Sequence, residues 1–486
     1  MSDPDPAIDL AGHDIQFFEK RPKVYPRDAT LKGKFRRLKW VVMAALLAIY
    51  YFTPFLRWDR GPHVPDQAVL IDIPHSRGYF FMFEIWPQEV YVLTGLLVLA
   101  AIALFAVTSV LGRVWCGYAC PQTVWTDLFV KVEYWIQGDR NARMKRDAAP
   151  LTFEKVWKKL ATHVVWLVIG LMTGGAWVFY FHDAPTLLHD LLHFQAPTGA
   201  VGWMAGLTLS TYFMAGYARE NICTYACPYA RFQSAMFDKD TLVISYDRTR
   251  GEPRGKHKQG DGWEGRGHCI DCKQCVVVCP VGIDIRNGLQ LPCIACGLCV
   301  DACNDVMDKV GLPRGLVRYD TDRNQRARDD ARACGKTYQE NIRIIRPRTI
   351  YYAVILLVVG GLVLYALLSR QPFEMHVLHD RNPLYVKLSD GSIRNNYAIK
   401  LLNKTHHDKD FSVQLVDAPQ AQMKFVGVDG NIIHVPADAV SQFRVSVDFP
   451  ASPLLQARRT LVLMATDLET GKTTNVESLF VTEDKR

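Results

Sequence analysis

Five long apolar runs divide the 486-residue chain, and polar or charged segments separate them. A helix needs about 20 apolar residues to cross the core of a bilayer. The runs that reach or approach this length are 40–56, 90–111, 160–181, 201–217 and 350–368. The first and fourth are the shortest, and polar residues near Thr208 interrupt the fourth. The pattern therefore predicts five transmembrane helices, with the strongest signal in the second, third and fifth.

Lys and Arg are distributed unevenly among the segments that connect these runs. They are abundant before the first run, between the second and third, and just before the fifth, whereas 182–200 contains none. Because cytoplasmic segments carry the excess of positive charge, this predicts a cytoplasmic N-terminus and an external C-terminus. The first 38 residues lack the apolar core of a signal peptide, so the first run is expected to remain as an anchor. The net charge of +8 then reflects topology, and we expect no nucleic-acid partner.

Two copies of the spacing C-x2-C-x2-C-x3-C lie in the polar segment between the fourth and fifth runs. Bacterial ferredoxins with two 4Fe–4S clusters have this spacing, and the fourth cysteine of each copy ligates the other cluster. The predicted ligands are Cys269, Cys272, Cys275 and Cys303 for one cluster, and Cys293, Cys296, Cys299 and Cys279 for the second. Zinc sites rarely use this spacing, and disulfides are disfavoured in a reducing cytoplasm. Cys334 is isolated and is expected to be a free thiol without a role.

Beyond residue 370 the pattern changes to short runs in which apolar and polar residues alternate, separated by turn signals such as Asp390-Gly391. Alternation with a turn about every ten residues is typical of an antiparallel β-sandwich. We therefore predict an Ig-like domain outside the membrane. Its Met and His residues, Met375, His376, His379, His406 and His407, are candidate copper ligands, but a surface histidine is more often simply solvated, and that is the favoured interpretation.

The four remaining cysteines form two matching pairs, in CGYACP at 116–121 and CTYACP at 223–228. Each pair follows an apolar run, at the end that the topology places in the cytoplasm. Residues four apart on one helix face lie about 5–6 Å apart, which suits two ligands of one metal. The proline after each second thiol is expected to break the helix there. Arg113 and Arg219 precede the pairs, and either would lower a thiol pKa if it lay nearby.

Soft thiolates select Cu(I), zinc or iron–sulfur clusters. A site that prefers Cu(I), beside one-electron iron–sulfur carriers, favours reduction of Cu(II) to Cu(I). The predicted catalytic copper ligands are Cys116, Cys120, Cys223 and Cys227. The alternatives are a further cluster, a quinone-linked redox role, and cysteine as a small packing residue. His163 lies at about the same membrane depth as the thiols and is a candidate ligand or proton relay. A hydrogen-bonded histidine at the membrane interface is the favoured interpretation.

Together these patterns predict a multi-domain α+β membrane protein. Its expected parts are an N-terminal cytoplasmic tail (1–38), a four-helix transmembrane domain with both thiol pairs (39–238), a cytoplasmic ferredoxin-like domain with two 4Fe–4S clusters and a linker (239–348), a fifth transmembrane helix (349–369) and a periplasmic Ig-like β-sandwich (370–486).

This order of parts closely resembles the cytochrome c oxidase accessory protein family CcoG, also called FixG or RdxA. The resemblance includes IDIPHSRGYFFMFEIWPQE after the first run and VMDKVGLPRGLVRYD after the second cluster motif. It implies a multi-pass protein of the bacterial inner membrane that reduces Cu(II) for the assembly of cbb-type cytochrome c oxidase. The implied partners are copper ions, a cytoplasmic electron donor, a P-type copper ATPase and oxidase assembly factors.

Two other functions stay open at this point. The four-helix unit with a ferredoxin insert also resembles the membrane quinol dehydrogenases of periplasmic nitrate reduction, which lack the fifth helix and the β-domain. A non-enzymatic oxidase assembly scaffold or copper chaperone is the other alternative.

Overall fold

The computed structural model describes residues 24–27, 33–61, 64–257, 262–427, 430–450 and 458–482. The chain divides into two compact units. The larger unit contains the described residues up to Trp58 together with Gln67–Val363, and the smaller contains Asp59–Asp66 and the described residues from Leu364 onward.

The larger unit begins with helices and one small sheet. Its first elements are α1 (Lys34–Phe52), β1 (Val69–Asp72), β2 (Arg77–Phe80), β3 (Phe83–Ile85), α2 (Val90–Leu111), α3 (Val114–Tyr118), α4 (Pro121–Gln137), α5 (Arg140–Ala148), α6 (Phe153–Val178), α7 (Ala184–Leu192) and α8 (Thr198–Thr211). The three strands form an antiparallel sheet in the order β1-β2-β3. Two π-helical stretches, Tyr212–Ala218 and Ile222–Ala226, follow α8. Such stretches are rare and often occur at functional sites.

Four helical segments of the described chain are long and apolar enough to cross a membrane. They are Lys34–Phe55, Pro87–Leu111, Phe153–Val178 and Pro347–Leu368. The predicted run 201–217 is not among them, because its α-helix ends at Thr211 and continues as a π-helical stretch. The segments Pro87–Leu111 and Pro347–Leu368 bury 6% and 0% of their most apolar windows, as expected for helices surrounded by lipid. Four of the five predicted spans are thus supported, and the remaining one, 201–217, stays a prediction.

Close packing between α6 and α8 depends on small residues. A Cβ atom at Gly174 would lie 2.8 Å from the carbonyl oxygen of Met204, and one at Gly170 would lie 3.1 Å from that of Thr208. Glycine at such positions lets two helix backbones approach closely. This packing fixes the helix that leads into the second thiol pair.

The ferredoxin-like part of the larger unit follows. Its elements are α9 (Pro228–Ala235), β4 (Val243–Tyr246), α10 (Arg248–Gly251), α11 (Gln274–Val277), α12 (Leu298–Lys309), β5 (Val317–Asp320) and α13 (Asp322–Ala333), after which comes α14 (Pro347–Leu368). Strands β4 and β5 pair antiparallel. Their buried residues Ile244 and Val317 pack with Met307 of α12 in a core that also contains cluster-motif cysteines.

Helix α1 ties this ferredoxin-like part to the membrane helices. The backbone amide of Arg36 donates to Asp301 Oδ2 of α12 at 2.9 Å. The guanidinium of Arg36 donates to Asp127 of α4 at 3.0 Å, and Lys39 adds a second cation 3.7 Å from the same carboxylate. Charge-assisted bonds with so little solvent around them fix orientation well.

The smaller unit contains a β-sandwich of two antiparallel sheets. Its strands are β6 (Phe373–His379), β7 (Val386–Lys387), β8 (Ile393–Asn403), β9 (Lys409–Leu415), β10 (Gln422–Val426), β11 (Ile432–Val435), β12 (Val440–Phe449), β13 (Arg458–Asp467) and β14 (Thr473–Val481). One sheet has the order β10-β12-β8-β6, with β7 also paired to β8, and the other has the order β11-β9-β13-β14. Alternate residues of β8, Tyr397, Ile399 and Leu401, are buried between the sheets. Met375 is buried in the same core, which makes it a packing residue.

A buried ion pair in this sandwich makes its stability depend on pH. Lys409 Nζ lies 2.5 Å from Asp467 Oδ2. Burial alone would raise the pKa of Asp467, but hydrogen bonds from Lys409, from Thr470 and from the Glu469 amide lower it to about 2. Because this pKa is lower in the folded than in the unfolded chain, the stability it contributes is complete above about pH 4 and is lost as the pH falls towards 2.

Asp467→Asn is expected to destabilise the sandwich by about 3 kcal/mol at neutral pH, since it leaves the buried Lys409 cation without its carboxylate. The measurement is hydrogen–deuterium exchange of β13 and β14 in the full chain, with variant and wild type compared at each pH. The difference should shrink as the pH falls towards 2. Asp417→Asn, at an exposed position, is the control, and an equal effect in both variants would contradict the prediction.

Candidate functional site

The structure brings the eight cluster-motif cysteines together around two cavities. The first cavity is lined by Cys269, Cys272, Cys275 and Cys303. The second is lined by Cys279, Cys293, Cys296 and Cys299, with Cys275 at its edge. The fourth cysteine of each motif thus lies with the first three of the other motif. Ligation of the clusters by these sulfurs stays a prediction.

The backbone around these cysteines fits iron–sulfur clusters. The amides of Val281 and Ile283 donate to the sulfur of Cys279, and such bonds stabilise a cluster thiolate. Residues on both sides of Cys272 and of Cys296 have positive φ angles, between 49° and 75°. Alternating left-handed residues curl the chain into a concave nest of amide groups, which favours an anionic guest. The donor set and the backbone therefore fit 4Fe–4S clusters.

The two thiol pairs have the same local structure at their second cysteine. Helix α3 ends at Tyr118, and Cys120 immediately precedes α4, which begins at Pro121. Cys227 likewise immediately precedes α9, which begins at Pro228. Proline is favoured at the first position of a helix because its fixed φ suits the turn and its missing amide is not needed. Each proline therefore starts a new helix, and the break lies at the second thiol, not after it as the sequence suggested.

A residue with positive φ also separates each thiol pair from the helix before it. Gly112 has φ 59°, and Arg219 has φ 43°. The chain therefore turns sharply between the apolar run and the first cysteine of each pair. The two cysteines of a pair consequently do not lie on one continuous α-helix that extends the preceding run.

The two thiol pairs lie next to each other in the folded chain. The thiol of Cys116 donates to Gln233 Oε1 of α9 at 3.3 Å, and α9 is the helix that Cys227 precedes. Gln233 is fully buried, and its Nε2 has no hydrogen-bond partner among the described residues. An unsatisfied buried donor beside a thiol indicates space for an anionic or lone-pair-bearing guest.

The four sulfur atoms are too widely spaced for a closed single-ion site. No three of them lie within 4.8 Å of one another, although all four belong to the described residues. A tetrahedral ion with metal–sulfur distances of about 2.3 Å needs sulfurs about 3.8 Å apart. The arrangement therefore suits a copper ion held by two thiolates, closure of the site around an ion, or a larger guest.

Burial keeps the first thiol of each pair protonated in the absence of metal. It raises the pKa of Cys116 to about 11 and that of Cys223 to about 12, and the neighbouring thiols contribute in the same direction. Arg113 lowers both pKa values, as expected from the sequence, but burial outweighs it. Metal binding at these thiols must therefore release protons.

Arg219 has a different role from the one that the sequence suggested. Its Nη2 donates to Glu133 Oε1 at 2.5 Å, and Arg143 Nη1 donates to Glu133 Oε2 at 2.7 Å. All three side chains are buried. A carboxylate between two guanidinium groups anchors the turn before Cys223 to α4 and α5. The signal available in the sequence was a glutamate in a largely apolar helix, which is costly without a partner.

Glu133→Gln is expected to lower the free energy of unfolding by about 3–5 kcal/mol, because two buried cations lose their carboxylate. Thermal unfolding of the detergent-solubilised protein measures the effect. Glu154→Gln is the matched control, since Glu154 pairs with Lys158 at an exposed surface, where an ion pair contributes about 0–1 kcal/mol. Similar shifts in the two variants would show that the buried network is not stabilising.

The first thiol pair packs directly against the loop of the second cluster cavity. The hydroxyl of Tyr118 donates to the carbonyl of Cys296 at 3.1 Å. A Cβ atom at Gly117 would lie only 2.7 Å from the carbonyl oxygen of Ile294. Cys116 itself packs in the apolar group that contains Cys279, Cys293 and Cys296. The thiol site and the second cluster cavity are therefore immediate neighbours.

Arg113, just before the first thiol pair, connects that pair to the second cluster loop and to α9. Its guanidinium is buried and donates to the carbonyl groups of Leu291, Cys293 and Ala230. The first two belong to the second cluster loop and the third to α9. No carboxylate pairs with it among the described residues, and the thiols act on it electrostatically. A buried cation in this position favours negative charge on the thiols and on the guest of the cavity.

The remaining candidates lie elsewhere. His163 Nδ1 is 3.0 Å from the hydroxyl of Tyr212 and its ring lies against Trp166, an arrangement that fits a hydrogen-bonded interfacial histidine. Cys334 is exposed just after α13. The sequence analysis did not identify Gln233, because a polar residue five positions after a motif carries no signal of its own.

Comparisons with known proteins show which family the chain belongs to. Three family models match the chain: a 4Fe–4S binding domain over residues 93–143, a 4Fe–4S dicluster domain over 218–322, and the Ig-like fold at the C-terminal of FixG over 363–483. The nitrogen fixation protein FixG of Rhizobium meliloti is 46% identical over 477 residues, which cover 93% of this chain and 91% of that protein. The chain belongs to the FixG/RdxA family.

A second relative supports this membership, and one solved structure is similar to part of the chain. Protein RdxB of Cereibacter sphaeroides is 47% identical over 466 residues, which cover 95% of this chain and 97% of that protein. The crystal structure of a FixG-related protein from Vibrio parahaemolyticus is 24% identical and covers 24% of this chain and 99% of that chain, with a TM-score of 0.21.

Family membership and the matched 4Fe–4S domains together indicate electron-transfer chemistry. This FixG/RdxA protein is an iron–sulfur electron-transfer protein with two 4Fe–4S clusters and an Ig-like domain. The match to a 4Fe–4S binding domain over 93–143 also includes Cys116 and Cys120, the only cysteines in that range. Its helices that are long and apolar enough to span a bilayer indicate a membrane protein.

Proposed function

We propose that this FixG/RdxA protein is a membrane-bound reductase that converts Cu(II) to Cu(I). The observation that carries the proposal is the contact between the first thiol pair and the second cluster loop, through Gly117 and Tyr118. A one-electron carrier next to a thiol site is the arrangement that a metal reductase needs. The substrate ion would bind to Cys116, Cys120, Cys223 and Cys227.

The chemistry of the thiols supports copper as the substrate. Thiolate sulfur is a soft ligand that stabilises Cu(I) relative to Cu(II). When bound, the clusters supply single electrons, and one electron converts one Cu(II) to one Cu(I). The protein's own residues bind the ion, release protons from Cys116 and Cys223, and balance charge through the Arg113 cation.

A cavity gives the substrate a route to the thiols. Its lining includes Cys223, Glu220 and Thr123, and on the ferredoxin side Pro280 and Ile294. It therefore lies between the membrane helices and the ferredoxin-like part. A copper ion entering there would reach the second thiol pair first.

The cellular role follows from the family resemblance and the proposed topology. With the N-terminus and the ferredoxin-like part in the cytoplasm and the β-sandwich in the periplasm, Cu(I) would form on the cytoplasmic side of the bacterial inner membrane. A P-type copper ATPase would receive it for export. The exported copper would serve assembly of cbb-type cytochrome c oxidase, together with oxidase assembly factors.

The test is Cu(I) formation by the purified protein containing both clusters. The protein is first reduced, excess reductant is removed, and Cu(II) is added with a Cu(I)-specific chromogenic chelator. We expect Cu(I) to form as the absorbance of the oxidised clusters returns, with one copper ion reduced per electron stored. Cluster reoxidation that does not accelerate when Cu(II) is added would overturn the proposal.

Two observations favour a second guest for the thiols. The 4Fe–4S binding domain matched over 93–143 contains the first thiol pair as its only cysteines, and no three of the four sulfurs lie close enough together to hold one ion without movement. A third 4Fe–4S cluster would satisfy both. Iron analysis separates the two cases, because two clusters contain eight iron atoms and three contain twelve.

A further inference from the structure

The two cluster cavities differ in their access to solvent. Cys272, in the first cavity, is exposed, whereas Cys269 and Cys275 of the same set are buried. In the second cavity Cys293 and Cys296 are buried. The first thiol pair packs against that second loop. Of the described ligand cysteines, Cys272 is therefore the one that a partner in solution can approach most closely.

Cationic side chains surround this exposed cysteine. Lys273 follows it directly and is exposed. Arg254 is exposed on the segment whose Gly255 amide donates to the carbonyl of Cys269 at 3.1 Å, which holds that segment beside the cluster loop. Arg27 is exposed beside α11, where its Nη1 donates to Gln274 Oε1 at 3.2 Å.

Two of the acidic groups close to this rim share one buried cation. Asp271 and Asp284 both accept from the buried guanidinium of Arg286, at 2.5 and 2.6 Å. Glu252 lies 3.8 Å from Arg254 at an exposed position, where a pair is weak. With Arg286 included, four cations lie with three carboxylates around Cys272, so the rim of Arg27, Arg254 and Lys273 has a small excess of positive charge.

We propose that this rim is the docking surface for a small acidic one-electron carrier protein of the ferredoxin or flavodoxin type. The inference rests on the proposed direction of electron flow, from the first cavity to the thiol site. Complementary charge steers such encounters and raises association rates. Electron-transfer complexes are characteristically small and weak, so a few cations at one exposed corner suffice. The carrier loses one electron, and the cluster held at Cys272 gains it.

The test measures reduction of the clusters, not of copper. The full-length protein in detergent, with both clusters oxidised, is mixed with a reduced plant-type 2Fe–2S ferredoxin as the acidic probe. Bleaching of the cluster absorbance is followed by stopped flow at increasing salt. We expect a rate that falls steeply with ionic strength, because the attraction is screened over about 10 Å at 0.1 M salt.

The double variant Arg27→Glu and Arg254→Glu reverses two charges of the rim without touching a cluster cysteine. We expect its reduction by the acidic probe at low salt to be slower by about tenfold or more, with the salt dependence lost or inverted. Reduced methyl viologen, a cation, should react faster with this variant than with wild type. Lys336→Glu reverses one charge at an exposed site after α13 and should behave as wild type with both reductants.

Three results would overturn the docking proposal. The first is an unchanged rate in the double variant whose cluster EPR spectrum and iron content match wild type. The second is an equal loss in Lys336→Glu. The third is cluster reduction by quinol in proteoliposomes with no response to the acidic carrier. Because copper takes no part in this assay, failure here would leave the copper proposal to be decided by its own test.

Discussion

Replacing Cys116 and Cys223 together with serine is expected to abolish copper reduction. The two thiols belong to different pairs, and they lie in adjoining motifs in the structure. Removing one ligand from each pair leaves no pair intact, and serine oxygen is a poor ligand for Cu(I). Loss of residues that only hydrogen-bond to metal ligands costs about 10–100-fold in metal affinity. Loss of two ligands themselves should therefore lower Cu(I) formation by about 100-fold or more.

The measurement combines the chelator assay with iron analysis and EPR of the reduced protein. The variant should keep eight iron atoms and the spectra of both clusters. Cys334→Ser removes an exposed thiol outside both motifs and is the matched control. If Cu(I) formation survives in the double variant, copper is reduced elsewhere. If wild type contains twelve iron atoms and the variant eight, the thiols hold a third cluster.

Gly117→Val is expected to disconnect the thiol site from the second cluster while leaving both in place. Even a Cβ atom at this position would lie 2.7 Å from the Ile294 carbonyl and 3.1 Å from Cys296 Cα, and backbone atoms cannot rotate out of the way. The first thiol motif must therefore move away from the cluster loop. Misplacement of reacting groups by about 1 Å can cost about 100-fold, and we expect Cu(I) formation to fall by 10- to 100-fold.

Gly206→Val is the matched control for this prediction. Gly206 also lies in a helix, but nothing lies within 4 Å of a Cβ atom placed there. Reduction of the clusters by dithionite should be unchanged in Gly117→Val, because the substitution leaves the first cluster cavity and its exposed Cys272 untouched. Overpacking costs about 1–3 kcal/mol, so the variant should still fold. Equal Cu(I) formation in Gly117→Val and wild type would mean that the contact is not the electron route.

The network around Glu133 illustrates what a one-dimensional pattern leaves open. Arg113 and Arg219 stand in similar positions before the two thiol pairs, and by sequence they have the same role. In the folded chain Arg113 reaches the cluster loop, whereas Arg219 donates to Glu133. The difference arises because α4 brings a carboxylate to one arginine and not to the other.

The break in each thiol motif could be predicted in part. Pro121 and Pro228 indicate that a helix cannot run through the motif. They do not indicate on which side the helix lies, because proline is disfavoured inside a helix but favoured at its start. The structure has α4 and α9 beginning at these prolines, with Cys120 and Cys227 just before them. Each second thiol therefore lies at the N-terminal end of a helix and not within one.

The run 201–217 shows a different limit. Its composition predicted a transmembrane helix, but the described α-helix stops at Thr211 and a π-helical stretch carries the chain to Ala218. Hydropathy reports how apolar a segment is and does not report its hydrogen-bond register. That register determines where Arg219 and Cys223 point.

The sequence by itself determined the parts of this protein. Apolar runs, cysteine spacings and β-type alternation are local patterns, and each can be recognised without knowing what packs against it. Only the tertiary structure decided how the parts of the larger unit meet. Cys116 lies beside α9 and the second cluster loop because Gly117 permits the contact and Arg113 spans it. Residues more than 100 positions apart make those contacts, and no local pattern specifies which distant surfaces will share them.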